Sequence, residues 1–204
     1  MKPTVGIVAL GAANRRSIAA ALQRAGAQTH SVTEPGAVFA CDALVIPGVA
    51  HFGYVAAELD RTGLRTALLE SWAAGLPLLG ICVGFQLLFE TSDEAPGARG
   101  LGIFSGNVRL LRTPRVPHMG WNRVEPCACC AAIEPGYGYF ANSYAPDADA
   151  PDAIASSSDG NDCFASAGLR GCALGVQFHP ERSGAYGARL LRTFVDSAAV
   201  AYAR

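Results

Sequence analysis

The sequence predicts an α/β fold: one domain over residues 1–204, built on an open, mixed but mainly parallel sheet with helices on both faces. Three observations carry that expectation. The first half of the chain alternates short apolar runs with helical patterns, as parallel strands joined by crossover helices do. The second half is a series of short strand-like runs separated by Gly, Pro and Asp. The C-terminal segment carries an apolar stripe at helical spacing.

Taken in order, residues 5–9 (Val-Gly-Ile-Val-Ala) form a first buried strand. Residues 17–25 form a helix stopped by Gly26, because glycine enters the left-handed conformation that closes helices. Residues 43–46 are a short buried strand that ends in Pro47-Gly48, and helical material follows through Trp72 to Gly75. Pro77-Leu78-Leu79 then runs into Gly80-Ile81-Cys82-Val83-Gly84-Phe85-Gln86, a strand ending in a sharp turn that opens a helix over 83–90. Strands are expected at 107–111, 137–144, 153–157, 163–167 and 173–178, with loops at 93–100 and 145–151. A last helix over 184–202 places Leu190, Leu191, Phe194, Val195 and Ala198 on one stripe. The chain shows no internal repeat and no domain linker.

Composition narrows the functional classes. Half of the 204 residues are hydrophobic and 16% are charged, which describes a compact globular protein. The net charge of −1, with no basic stripe, argues against nucleic acid as a partner. No run of apolar residues is long enough to span a membrane. Seven cysteines, an odd number without a secretory leader, point to a reducing, cytoplasmic setting. Cys127, Cys129 and Cys130 are closely spaced, but the pattern lacks a second ligand pair unless His118 or Cys163 joins it, so no metal is expected.

The chemistry gathers in two segments. Gly80-x-Cys82-x-Gly84 is the thiol counterpart of the Gly-x-Ser-x-Gly elbow, in which glycines let neighbouring elements approach the tight turn. A free cysteine is commonly a core residue. Here it stands at the start of a helix, where the dipole favours thiolate. Far downstream, Phe178-His179-Pro180-Glu181 supplies an imidazole and a carboxylate. On a strand, positions i and i+2 share a face, so Glu181 is expected to orient His179 while His179 takes the thiol proton. Ligands of such sheets bind at the carboxyl ends of the strands, where Pro47-Gly48 and Cys82 both fall.

With these segments the chain resembles the class I, triad-type glutamine amidotransferases, and more narrowly the glutaminase subunit of imidazole glycerol phosphate synthase. The match also runs through Pro47-Gly48-Val49, Val116-Pro117-His118-Met119-Gly120-Trp121-Asn122, Asn142-Ser143-Tyr144 and Gly175 to Ser183. The resemblance implies hydrolysis of L-glutamine without metal or organic cofactor, and transfer of the ammonia to a (β/α)8-barrel cyclase subunit of a heterodimer in histidine biosynthesis. It makes Cys82 the nucleophile, His179 the acid/base and Glu181 its orienter. It puts Gln86, Ser143 and Tyr144 beside the substrate and the backbone of Gly48, Val49 and Val83 around the oxyanion. His118, Met119 and Trp121, with Asn142 and Arg182, fall on the partner-facing side; Met119 and Trp121 also admit a core reading, and Gln86, His118 and Arg182 plain structural or surface ones.

The chain departs from the family pattern in three places. Ala50 follows Pro-Gly-Val where glycine is usual, Asn142 replaces a histidine, and Ala9 with Asn14-Arg15 replaces an Asp and an Asn-Leu pair. They leave open a paralogue that feeds another synthase, such as one aminating a sugar. A cysteine hydrolase of peptides or γ-glutamyl conjugates would share the three catalytic residues, and ammonia release from free glutamine separates it. A regulatory module without catalysis has no use for an intact triad.

Overall fold

The computed structural model describes residues 2–10, 14–127 and 132–202. The chain runs β1 (Thr4–Val8), α1 (Arg15–Arg24), β2 (Gln28–Val32), α2 (Pro35–Val38), β3 (Ala43–Ile46), α3 (Phe52–Thr62), α4 (Leu64–Ala73), β4 (Leu78–Ile81) and α5 (Val83–Gln86). It continues through β5 (Thr91–Ser92), β6 (Asn107–Leu110), β7 (His118–Pro126), β8 (Gly136–Asn142), β9 (Tyr144–Pro146), β10 (Ala153–Asp159), β11 (Asp162–Arg170), β12 (Ala173–Val176) and α6 (Gly184–Tyr202). A single 3-10 turn, Pro180–Arg182, precedes α6.

A nine-stranded sheet has the order β2-β1-β3-β4-β12-β11-β10-β7-β8. From β2 to β12 every pairing is parallel, and from β12 to β8 every pairing is antiparallel. The parallel strands β3 and β4 are wholly buried, as strands covered on both faces must be. β5, β6 and β9 form a separate small sheet. The apolar stripe of α6 is buried, with Leu191, Phe194, Val195 and Ala198 all in the core.

Several elements differ from expectation. β2 (Gln-Thr-His-Ser-Val) escapes sequence reading because it is an edge strand, mostly exposed and without apolar alternation. β7, unassigned from the sequence, pairs along its length with β8 and exposes alternate side chains. The expected loop at 145–151 begins with β9, which is held by β6. The helical stretch before residue 75 is two helices, broken where Gly63 takes φ of 70°. The helix expected over 83–90 is a single turn, because the chain leaves it to let Leu101 and Phe104 donate to the carbonyls of Leu87 and Leu88.

Candidate active site

Adjacent parallel strands bring their C-terminal ends to the same edge, so β3, β4 and β12 deliver three separate segments to one place. Ile46 pairs with Gly80, and Ile81 with Val176. Pro47-Gly48-Val49, Cys82 and His179 therefore emerge side by side although they are far apart in sequence. The backbone N–H of Cys82 donates to Val176 O at 2.9 Å, which locks the elbow to β12.

The elbow is tight. Cys82 has φ of 55° and ψ of −111°, a conformation that non-glycine residues rarely adopt. Its neighbours are glycines because a side chain would collide. A Cβ on Gly84 would stand 1.8 Å from Ile46 O, and one on Gly48 2.4 Å from the Val83 Cβ. Val83, the first residue of α5, has no intrahelical acceptor for its N–H. Gly48 packs against Val83, and Val49, Cys82 and Val83 line the same cleft.

His179 does not sit on a strand, as the sequence reading expected. β12 ends at Val176, and Glu181 lies in the 3-10 turn. The pair meets nonetheless: His179 Nδ1 lies 3.0 Å from Glu181 Oε1, and both side chains are almost fully buried. Ser183 holds the turn, donating from Oγ to His179 O at 2.6 Å and accepting from Tyr139 N–H at 2.9 Å. The His179 N–H donates to Tyr139 O at 2.8 Å. Burial alone lowers the imidazole pKa, but hydrogen bonding to Cys82 and Glu181 outweighs it and pushes the value up to about 10. An imidazolium between a sulfur and a carboxylate is the result.

A cleft of about 480 Å³ opens over these groups. Cys82, Val49, Val83, Gln86, Ser143, Tyr144, His179 and Glu181 line it, as the sequence reading grouped them; so do Ala50 and two residues expected on the partner-facing side, Asn142 and Arg182. Gly48 packs beneath, against Val83 and Gly84. Gln86 is buried, and its Nε2 donates to Tyr144 O at 2.7 Å and to Gln177 Oε1 at 3.1 Å. A larger apolar cavity of about 560 Å³, beside Leu169, Leu174, Leu190 and Phe194, holds none of these groups. Chemistry, not size, marks the smaller cleft as the candidate site.

Two placements correct the sequence reading. His118 was expected on the partner-facing side with Met119 and Trp121. β7 alternates, so Met119 and Trp121 are exposed while His118 turns to the other face. There its ring packs against Phe140 and Phe164 and pairs with Asp159 Oδ2 at 3.1 Å. Asn142, expected at the same interface, is buried and donates from Nδ2 to Tyr144 O at 3.1 Å. Arg182 stays at the rim, its guanidinium 4.0 Å from the centre of the Tyr139 ring.

The sequence reading missed Glu94, His51 and Asn14 in the cleft wall and gave no role to Gln177. Glu94 comes from the expected loop 93–100 and accepts the Phe52 N–H at the start of α3, at 2.6 Å. No local pattern links it to Cys82; only the tertiary fold does. Among the described residues no group of three or more His, Cys, Asp or Glu could hold a metal ion, and no helix could cross a membrane. Of the cysteine cluster, Cys129 and Cys130 lie outside the described residues, and Cys127 points its thiol at Ala153 O, 3.9 Å away.

Comparison with known proteins agrees with this geometry. The family described as glutamine amidotransferase class-I matches residues 7–198. The imidazole glycerol phosphate synthase subunit HisH of Deinococcus radiodurans is 41% identical, covering 94% of this chain and 93% of its own. The subunit of the same name from Thermococcus kodakarensis is 40% identical over 93% of this chain and 98% of its own. Among solved structures, a glutamine amidotransferase aligns with a TM-score of 0.75 at 21% identity, covering 96% of this chain and 98% of that one. PurLQS from Thermotoga maritima aligns with a TM-score of 0.74 at 17% identity over the whole of both chains. These two likenesses bear on the fold. Matched along nearly its whole length, the chain belongs to the class-I glutamine amidotransferase family, and within it groups with the HisH subunits of imidazole glycerol phosphate synthase.

Proposed function

We propose that this chain hydrolyses L-glutamine to glutamate and ammonia, and hands the ammonia to a synthase partner in histidine biosynthesis. The observation that carries the reading is the meeting of Cys82, on its strained elbow, with the His179–Glu181 pair delivered by the neighbouring strand. The Cys82 sulfur attacks the side-chain carboxamide carbon, and the carbonyl oxygen takes the negative charge. We assign its stabilisation to backbone N–H groups at Val83 and in the Gly48-Val49 segment, which the fold brings to the same cleft. His179, held protonated, gives its proton to the departing nitrogen, which leaves as ammonia and a thioester behind it. The neutral imidazole then takes a proton from water, hydroxide adds to the thioester, and glutamate leaves as the thiolate reforms. Glu181 keeps the ring in register throughout.

The rest of the cleft suits the amino-acid end of glutamine. Gln86, Ser143 and Tyr144 form one wall, and the Glu94 carboxylate on another is placed to accept an α-ammonium group. The exposed side of the β7–β8 hairpin carries Met119, Trp121 and Tyr137, beside the cleft rim with Arg182. Large apolar side chains so exposed favour a docking face for the barrel partner that the family resemblance implies. A nucleophile that depends on a free thiol suits a reducing compartment, and we place the protein in the cytoplasm.

The test is ammonia release from glutamine by the wild type and Cys82→Ala, each with and without the barrel partner and its ribonucleotide ligand. Activity should vanish in Cys82→Ala with the fold retained, and in the wild type should rise when the partner and ligand are present. Wild-type protein that releases no ammonia from glutamine with its partner bound would sink the reading.

A further inference from the structure

The side-chain amide of Gln177 is fully buried between Gln86 and Cys82, and nothing in the reaction above uses it. Its orientation is fixed by a chain of hydrogen bonds that runs in only one direction. The Tyr144 carbonyl can only accept, so the Gln86 atom 2.7 Å from it is the nitrogen. The same nitrogen stands 3.1 Å from Gln177, which must answer with its oxygen. The nitrogen of Gln177 is thereby turned the other way, and lies 3.8 Å from Cys82 Sγ. Flipping Gln86 would set oxygen against oxygen, and flipping Gln177 would set nitrogen against nitrogen. Two further bonds hold the frame: the Gln177 backbone N–H donates to Ser166 O at 2.9 Å, and the Asn142 side-chain Nδ2 donates to the same Tyr144 carbonyl at 3.1 Å.

We propose that Gln177 is a second hydrogen-bond donor to the reacting sulfur of Cys82, aimed by Gln86 and the Tyr144 carbonyl. The inference deepens the proposed function and rests on Cys82 being the nucleophile. A donor that carries no proton to transfer complements His179. Before attack, and again when the thioester is hydrolysed and the sulfur departs with its charge, the amide offers the sulfur a donor while the imidazole is occupied with its own proton transfers. A hydrogen bond to a charged sulfur stabilises that form, so removing the donor should make the sulfur harder to ionise. The amide also links substrate recognition to the nucleophile, since Gln86 faces the cleft and aims Gln177 at once.

The test needs no glutamine. The rate at which iodoacetamide alkylates Cys82, read by mass spectrometry of the peptide that contains it, follows the thiolate fraction across pH. Other titratable or charged groups face the same cleft and stay unchanged in every variant: His51, Glu94, Tyr144, His179, Glu181 and Arg182. Gln177→Met keeps the bulk and removes the donor, and should move the alkylation midpoint up by about one pH unit, tenfold in thiolate fraction on the acid side. Gln86→Leu does not remove the group that meets the sulfur, yet frees Gln177 to turn, and should move the midpoint the same way by less. A purely packing role for Gln177, or a purely substrate-binding role for Gln86, moves neither.

Should Gln177→Met fail to fold, Gln86→Leu carries the test: it adds no charge and leaves Gln177 in place, and the midpoint should still rise. A folded donor-less variant with the wild-type midpoint overturns the inference and leaves Cys82 as nucleophile intact.

Discussion

Adding one methyl group at Gly84 should disable this protein, and the size of the effect follows from one contact. A Cβ there would stand 1.8 Å from Ile46 O and 2.7 Å from Ile46 C, both backbone atoms of a buried strand. Carbon and oxygen normally approach no closer than about 3.3 Å, so the elbow and β3 must separate by about 1.5 Å. A misplacement of about 1 Å in an active site can cost roughly a hundredfold in rate, and Gly84→Ala should lose at least that much glutaminase kcat/KM. Forced overpacking of this kind costs about 1–3 kcal/mol, or a fall in Tm of roughly 2–12 °C for a chain of this length. The matched control is Gly36→Ala, where a Cβ meets nothing within 4 Å and α2 gains a better helix former. That variant should keep its activity and gain about 0.4–1 kcal/mol. Thermal melts and glutamine turnover on both variants decide the matter. A Gly84→Ala protein with wild-type turnover would show that the approach of β3 to the elbow does not hold the nucleophile in place.

Three further outcomes are expected. His179→Asn should lower turnover by ~10³-fold or more, and Glu181→Ala by at least tenfold less, because an orienter contributes less than the base it holds; equal losses in folded proteins would give Glu181 a chemical role. Asp162 is buried, which raises its pKa, but two hydrogen bonds from Arg109 and one from Arg112 N–H reverse this and hold it below the usual carboxylate value. Its stabilising contribution is therefore present above the unfolded pKa of ~3.9 and lost as pH falls through the lower folded value. Asp162→Asn should cost about 3 kcal/mol at neutral pH and flatten the acid limb of a urea-midpoint-against-pH plot; a variant with the wild-type acid limb would refute the assignment. Trp121→Ala should weaken binding of the barrel partner by about 2 kcal/mol, roughly thirtyfold, and leave Tm near wild type, since the side chain is 57% exposed; calorimetric titration with unchanged affinity would move the docking face elsewhere.

How much of this was legible in the sequence depended on whether a signal was local. The elbow announces itself because its glycines, its cysteine and the strand before it are contiguous, and the structure places all of them as the pattern suggests. The His179–Glu181 contact was anticipated for the wrong reason. A strand would have set the two on one face, whereas a 3-10 turn clamped by Ser183 makes the contact instead. The buried face of His118 was open to the alternation argument, since Met119 and Trp121 on the opposite parity already claimed the outside of β7. Glu94 and the aim of Gln177 were out of reach. Each depends on a partner more than forty residues away, Phe52 in the first case and Gln86 in the second, and no periodicity records such a meeting.

The position of β12 sets the moment at which this chain can acquire chemistry. It comes last in chain order among the described strands, yet it belongs in the middle of the sheet, between β4 and β11. The groove beside β4 stays unfilled until residues 173–176 arrive, and His179 follows only a few residues later. A nascent or truncated chain thus carries Cys82 but neither its base nor the strand that anchors the elbow. A chain that stops short of β12 lacks the acid/base pair proposed for Cys82 and should release no ammonia from glutamine, so activity is expected only once the sheet is complete.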